Sequence, residues 1–180
     1  MLPLIAALLL SSSVDPLAGI DGLHIAYYDV RGNSWPAIGR SIATQGMGRA
    51  GGLEIAARTS WRVRWQADSL VSGKSCRVVG AKLDYAITVM LPRLRDQDRL
   101  DPALRRRWQT YLGELKAHEA GHARYASLHI DDVKRAVLAS DCAHVRQNGQ
   151  HAIDAINRWE TRYDMLTRHG AMQSKAPPVR

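Results

Sequence analysis

Two histidines four residues apart bracket a glutamate in His118-Glu119-Ala120-Gly121-His122. On a helix these histidines share a face. Two imidazoles on one face can hold a single Zn2+, which leaves Glu119 free to handle the proton of a water at the ion. This is the H-E-x-x-H arrangement of zinc-dependent hydrolases. The competing reading is a surface helix that carries these polar residues by chance.

Catalytic zinc takes three protein ligands and keeps one position open for water, so a third donor must come from outside the motif. His129 stands on a similar helix face. At 1.5 Å rise per residue it is about 10 Å along the axis from His122, too far to share an ion. The remaining donors fall between Glu160 and His169. Glu160 and Asp164 form E-x-x-x-D, the spacing by which gluzincin metalloproteases place a ligand carboxylate and a supporting Asp. In the other arrangement His169, beside Gly170, is the ligand, and Asp164 orients a ligand histidine. The residue types leave both open. Most glutamates are exposed helix carboxylates, and a histidine near a helix C-terminus is favoured by the macrodipole alone.

The elements that must position these groups are readable in order. Leu23 to Val30 reads as a strand, ended by Arg31-Gly32-Asn33-Ser34. Ser34 is placed to cap a helix with Pro36 in its first turn and Ile38 and Ile42 on one side. Gly46, Gly48 and Gly51 then spell G-x-G-x-x-G. The dinucleotide fingerprint needs a strand before it and a helix after it, so here the glycines read as a turn. Trp61, Val63 and Trp65 alternate with Arg62 and Arg64, and Leu83, Tyr85, Ile87, Val89 and Leu91 alternate in a second strand. Ser72-Gly73-Lys74-Ser75 joins them as an antiparallel hairpin, and Pro92 is expected to end the sheet. Asp101, as N-cap ahead of Pro102, opens a helix through Trp108, Leu115, His118 and His122 toward Leu138. A second helix begins near Cys142 and carries Ile153, Ile156, Trp159 and Tyr163. The expected class is α+β: a small antiparallel sheet with an N-terminal helix, followed by a zincin-like helical hairpin that carries the metal site.

At 180 residues, with 46% hydrophobic and 23% charged residues, the chain reads as one soluble domain over 14–173. The first ten residues, MLPLIAALLL, are too short to span a bilayer, and Ser11-Ser12-Ser13 follows them. Residues 1–13 therefore read as an export signal, and 174–180, with Pro177 and Pro178, as a disordered tail. The mature chain is expected to be periplasmic or secreted and to carry no membrane span. Cys76 and Cys142, an even pair in an exported protein, read as one disulfide. Such a bridge closes a long loop and contributes ~4 kcal/mol in the chain-entropy model. A net charge of +8 raises nucleic acid as a partner, but Arg105-Arg106-Arg107 points three ways on a helix and no nucleic-acid module accompanies it. The charge is read instead as a bias toward anionic envelope surfaces.

From about Tyr27 to Gly170 the chain resembles a bacterial family of predicted secreted zinc-dependent proteases. The resemblance rests on Tyr28-Asp29-Val30-x-Gly32, Trp61-x-Val63-x-Trp65, Cys76, Leu91-Pro92 and Trp108. It continues through His118-Glu119-x-Gly121-His122 and Tyr163-Asp164-x-x-Thr167-x-His169-Gly170. By singling out Tyr163, Asp164 and His169, it implies His169 as third zinc ligand; Asp164 stays a supporting group or alternative ligand, and Glu160 remains the alternative that the E-x-x-x-D spacing offers. The expected activity is hydrolysis of protein or peptide substrates, with Zn2+ as cofactor, Glu119 as general base and Tyr163 as donor to the oxyanion. Substrate is expected to pair in extended form with a sheet edge such as 83–91. The rivals are a hydrolase of a non-peptide amide in the cell wall and a non-catalytic zinc-binding envelope protein.

Overall fold

A computed structural model describes residues 15–50 and 52–170, so the expected export signal and tail lie outside the described residues. The fold is α+β, a three-stranded sheet and a helical hairpin. Strand β1 (Leu23–Val30) leads into helix α1 (Trp35–Gln45). Ser34 holds the N-cap position in extended backbone, but its side chain makes no capping hydrogen bond, contrary to expectation. Pro36 has no N–H to satisfy in that first turn, which reduces the need for a cap. Ile38 and Ile42 are buried as the helical spacing predicts.

The glycine-rich segment closes into a small hairpin, β2 (Arg49–Ala50) with β3 (Leu53–Glu54). Next come β4 (Arg58–Ser72) and β5 (Ser75–Leu94), paired antiparallel across a Gly73-Lys74 turn in which Gly73 takes φ +58°. In that register Trp61 faces Ile87, Val63 faces Tyr85 and Trp65 faces Leu83. The sheet is mixed rather than antiparallel, because β1 joins the far side of β5 in parallel, giving the order β1-β5-β4.

Pro92 does not end the sheet; it pairs with Tyr28, and β5 runs on to Leu94. The reason is one of parity. Ile87 and Arg95 donate their backbone N–H toward β1, to Gly22 and Val30, so even-numbered positions of β5 turn their N–H toward β4. Strand β4 begins at Arg58, opposite Met90. At position 92 there is no neighbour on that side to need a donor.

Helix α2 (Pro102–Leu138) runs 37 residues and starts as expected, with Asp101 Oδ1 accepting from Ala103 N at 2.8 Å and Leu104 N at 3.3 Å. Its buried stripe reads Trp108, Tyr111, Leu115, His118, Glu119, His122, Ala126, Ile130, Val133 and Val137. The candidate site thus occupies core positions of a helix laid over β4 and β5, whose Ile87, Val89 and Leu91 are fully buried. Helix α3 (Val145–Thr167) folds back along α2. Cys76 and Cys142 form a disulfide that ties the start of β5 to the α2–α3 connection, beside an Arg77–Asp141 bridge. Among the described residues no helix is long and apolar enough to cross a membrane.

Candidate metal centre

The two imidazoles converge on a carboxylate from the other helix. His122 Nε2 stands 3.0 Å and His118 Nε2 3.3 Å from Asp164 Oδ1. Both histidines are buried, at 5% and 8% exposure, and the donor atoms of His118, His122 and Asp164 all lie within 4.8 Å of one another. With Zn–N and Zn–O bonds near 2.0–2.1 Å, the edge of a ligand tetrahedron is about 3.3 Å. The observed 3.0 and 3.3 Å separations therefore fit donors around one small cation.

Asp164 answers to that environment. Burial alone would raise its carboxyl, but the hydrogen bonds with His118 and His122 hold it well below the ordinary carboxylate range. His122 shows the converse: burial would lower its imidazole, yet Asp164 holds it above the ordinary 6.5.

Glu119, 4% exposed, lies outside the ligand set. Thr59 Oγ1 donates to Glu119 Oε2 at 2.7 Å and also reaches Glu119 O at 3.1 Å. Burial pushes the Glu119 carboxyl up despite that bond. A carboxylate with a raised affinity for protons, held beside two candidate ligands, suits a proton acceptor.

The remaining sequence candidates are distributed around this core. His169, implied by the resemblance as third ligand, is outside the cluster; its Nδ1 lies 3.5 Å from the far oxygen of Asp164. Asp164 is thus the third donor of the candidate cluster, with His169 behind it. Glu160, the carboxylate ligand of the gluzincin spacing, is also outside the set, and its Oε1 accepts from Trp61 Nε1 at 2.8 Å. Tyr163 stacks on His118 with ring centroids 5.2 Å apart, and its hydroxyl lies 3.5 Å from His118 O. That hydroxyl is directed at the backbone of α2. His129 stacks on Tyr125 and meets Asp132 at 2.8 Å, separate from the cluster.

Two glycines allow these approaches. A Cβ on Gly121 would sit 2.3 Å from the Tyr163 hydroxyl, and one on Gly170 would sit 3.0 Å from His118 Cγ. Glycine at 121, inside a helix, was a legible sign of close contact. Thr59 extends the alternation of Trp61, Val63 and Trp65 by one step and so sets a hydroxyl on the core-facing side. The sheet edge named in the sequence reading is only partly open. Strand β5 is paired on both sides over 87–90 and with β4 alone over 83–86, and the open edge beside Glu119 belongs to β4.

Fold and cluster together define an α+β protein with a candidate metal centre shared between the two arms of a helical hairpin. The family described as "Bacterial protein of unknown function (DUF922)" matches residues 25–170, and the chain belongs to it. Neither a curated protein nor a solved structure matches.

Proposed function

We propose that the protein is a zinc-dependent hydrolase of peptide bonds, with His118, His122 and Asp164 as metal ligands and Glu119 as general base. The observation that carries this reading is a three-donor cluster with a buried, proton-seeking carboxylate beside it. Three protein donors are the number a catalytic zinc site uses, because the fourth position serves water or substrate. A Zn2+ bound there would polarise the substrate carbonyl and bring the pKa of water toward ~7.

The chain's own residues supply the rest. Glu119 accepts the proton of the attacking water at Oε1, while Thr59 holds Oε2, and Glu119 then returns the proton to the leaving amine. Asp164 completes the donor set from α3, and His169 steadies Asp164 from behind. Tyr163 keeps the His118 ring in plane by stacking on it. The open edge of β4 offers main-chain pairing to an extended peptide beside Glu119. The disulfide favours an oxidising compartment, which agrees with a periplasmic or secreted enzyme.

The test is metal content and turnover measured together. Purified wild-type protein is expected to hold one zinc and cleave unfolded protein. Glu119→Gln should keep the zinc and lose turnover by several orders of magnitude. Turnover retained by Glu119→Gln would remove the general-base assignment, and wild-type protein without zinc under metal-replete conditions would remove the reading altogether.

A further inference from the structure

One carboxylate beside the centre has no part in that scheme. Glu160 lies one helical turn before Asp164, half-buried, and lines a cleft of about 410 Å3 between residues 60–63 of β4 and Ile153 and Asn157 of α3. This size is that of a small-ligand site. Trp61 Nε1 donates to Oε1 of Glu160, the side-chain hydrogen bond that this carboxylate makes within the protein.

A half-buried carboxylate is unfavourable unless a positive group meets it. Around Glu160 the neighbouring charges are His122, Asp164 and Glu119, so two of the three are also acidic. The chain holds 25 Lys and Arg, yet none pairs with Glu160 among the described residues. Arg158 and Arg162, two positions to either side, are exposed on other parts of the α3 surface. Arg62 borders the cleft from the exposed face of β4 and forms no ion pair with Glu160. Apart from the His122 imidazole behind it, Glu160 meets no cation of the described residues, and its carboxylate borders the cleft.

We propose that Glu160 is a specificity-determining residue, receiving a cationic group of the substrate, ammonium or guanidinium, in the cleft between β4 and α3. The relation of that cation to the cut bond rests on the hydrolase reading above; its binding does not. Trp61 fixes the carboxylate through the indole N–H, and its ring forms part of the wall along which the aliphatic stem of a lysine or arginine can lie. Position on α3 sets the distance: four residues, about 6 Å along the axis, separate Glu160 from Asp164. The substrate class is therefore peptides with a positive group close to the scissile bond. The group is either an internal basic side chain or a free amino terminus.

Four probes separate these sources: acetyl-Ala-Ala-Lys-Ala-Ala-amide, its norleucine twin, Ala-Ala-Ala-amide with a free amino terminus, and its acetylated form. Binding is measured by calorimetry on zinc-loaded Glu119→Gln, where nothing is consumed, and turnover on the wild type. A cationic probe should bind roughly tenfold more tightly than its neutral twin, the scale of one charge-assisted hydrogen bond. Adding Glu160→Gln should bring that ratio close to one, since Gln keeps the acceptor for Trp61 and loses only the charge. Glu160→Asp should restore part of the preference, which a purely structural role would not do. Equal binding of charged and neutral probes, or a ratio indifferent to Glu160→Gln, overturns the inference. Charge-selective binding that Glu160→Gln abolishes, with no turnover of any probe, sustains it and removes the hydrolase reading. Turnover blind to charge does the reverse, and a protein that neither binds nor cleaves any of the four removes both.

Discussion

Gly121→Ala should destabilise the protein, while Gly113→Ala, on the same helix, should stabilise it. Glycine in a helix interior is less stable than alanine by roughly 0.5–1 kcal/mol, so a free site gains that amount on substitution. Gly113 is such a site, because a Cβ there meets nothing within 4 Å. At Gly121 the same atom would lie 2.3 Å from the Tyr163 hydroxyl, 2.5 Å from Cζ and 2.9 Å from Cε1. Carbon contacts are at their best at about 3.5–4.0 Å, so the ring must retreat by about 1 Å. Overpacking of that kind costs about 1–3 kcal/mol, which exceeds the gain in propensity. For a chain of this size each kcal/mol moves the melting temperature by about 2–4 °C, so the two variants should melt on opposite sides of the wild type. Tyr163 neighbours Asp164 in sequence and stacks on His118, so zinc affinity should fall with it. Thermal melts with and without zinc read both effects. Tyr163→Phe should not rescue, since Cζ and Cε1 still collide, but in a Tyr163→Ala background Gly121→Ala should become stabilising. A Gly121→Ala protein as stable as Gly113→Ala, with Tyr163 present, would refute the reasoning.

Three further outcomes follow from the site and its frame. Asp164→Ala should abolish zinc binding, whereas His169→Ala should weaken it about 10–100-fold, the scale of losing a supporting partner; calorimetry giving the reverse ranking would make His169 the ligand. Zinc binding should weaken as pH falls, and the loss should begin above pH 6.5, because His122 holds its proton more tightly than an ordinary histidine. In the metal-free protein the sign is opposite. The raised His122 contributes stability that is present below 6.5 and lost as pH rises through its folded value, and Glu119, pushed above 4.5 by burial, acts in the same direction. Asp164, depressed below 3.8, contributes stability that is present above that pH and lost only in stronger acid. The rise in melting temperature on adding zinc should therefore grow from pH 6 to pH 8, and a flat rise would contradict this. Replacing Cys76 and Cys142 by Ser should lower stability by ~4 kcal/mol, given a closed loop spanning 66 positions, and a melt insensitive to the change would contradict the entropic account.

What could be read from the sequence was local, and what could not was tertiary. Asp101-Pro102 opens α2 where capping chemistry says it must, and the spacing of Trp108, Leu115, His118 and His122 marks its buried face. The alternation of Trp61, Val63 and Trp65 against Leu83, Tyr85 and Ile87, with Gly73-Lys74 between, specifies the β4–β5 hairpin. By contrast, the parallel pairing of β1 with β5 joins segments some sixty residues apart, with no turn to announce it. Pro92 looked like a terminator because its single unsatisfied side is visible only once the start of β4 is known. The candidates on and just after α3 (Glu160, Asp164 and His169) could not be ranked from spacing, since E-x-x-x-D places Glu160 and Asp164 on one face equally well. Only the fold shows that Trp61 donates to Glu160 while Asp164 faces both imidazoles.

The candidate metal site depends on how closely two helices can approach, and that spacing is controlled from both sides. On α2, Gly121 admits Tyr163; at the end of α3, Gly170 admits the ring of His118. Each helix thus gives up a side chain where the other presents an aromatic ring. Gly170 ends three successive left-handed residues, with φ +51° at Arg168, +51° at His169 and +78° at Gly170. Two of these are not glycine, and such backbone is held only where its surroundings over-determine it. Here the turn brings His169 onto Asp164 and Gly170 onto His118, so the strained segment closes the site from behind. Between the helices the contact is largely aromatic: Tyr125, Trp159, Tyr163 and His118 form a continuous stack, with 3.7, 5.0 and 5.2 Å between successive rings. Flat rings fix separation and direction together, where aliphatic side chains would allow sliding. The donor separations of 3.0 and 3.3 Å at Asp164 are the consequence. A ligand set divided between two helices can stay preorganised for a small cation only if the helices cannot drift, and the two glycines and the stacked rings together prevent that drift.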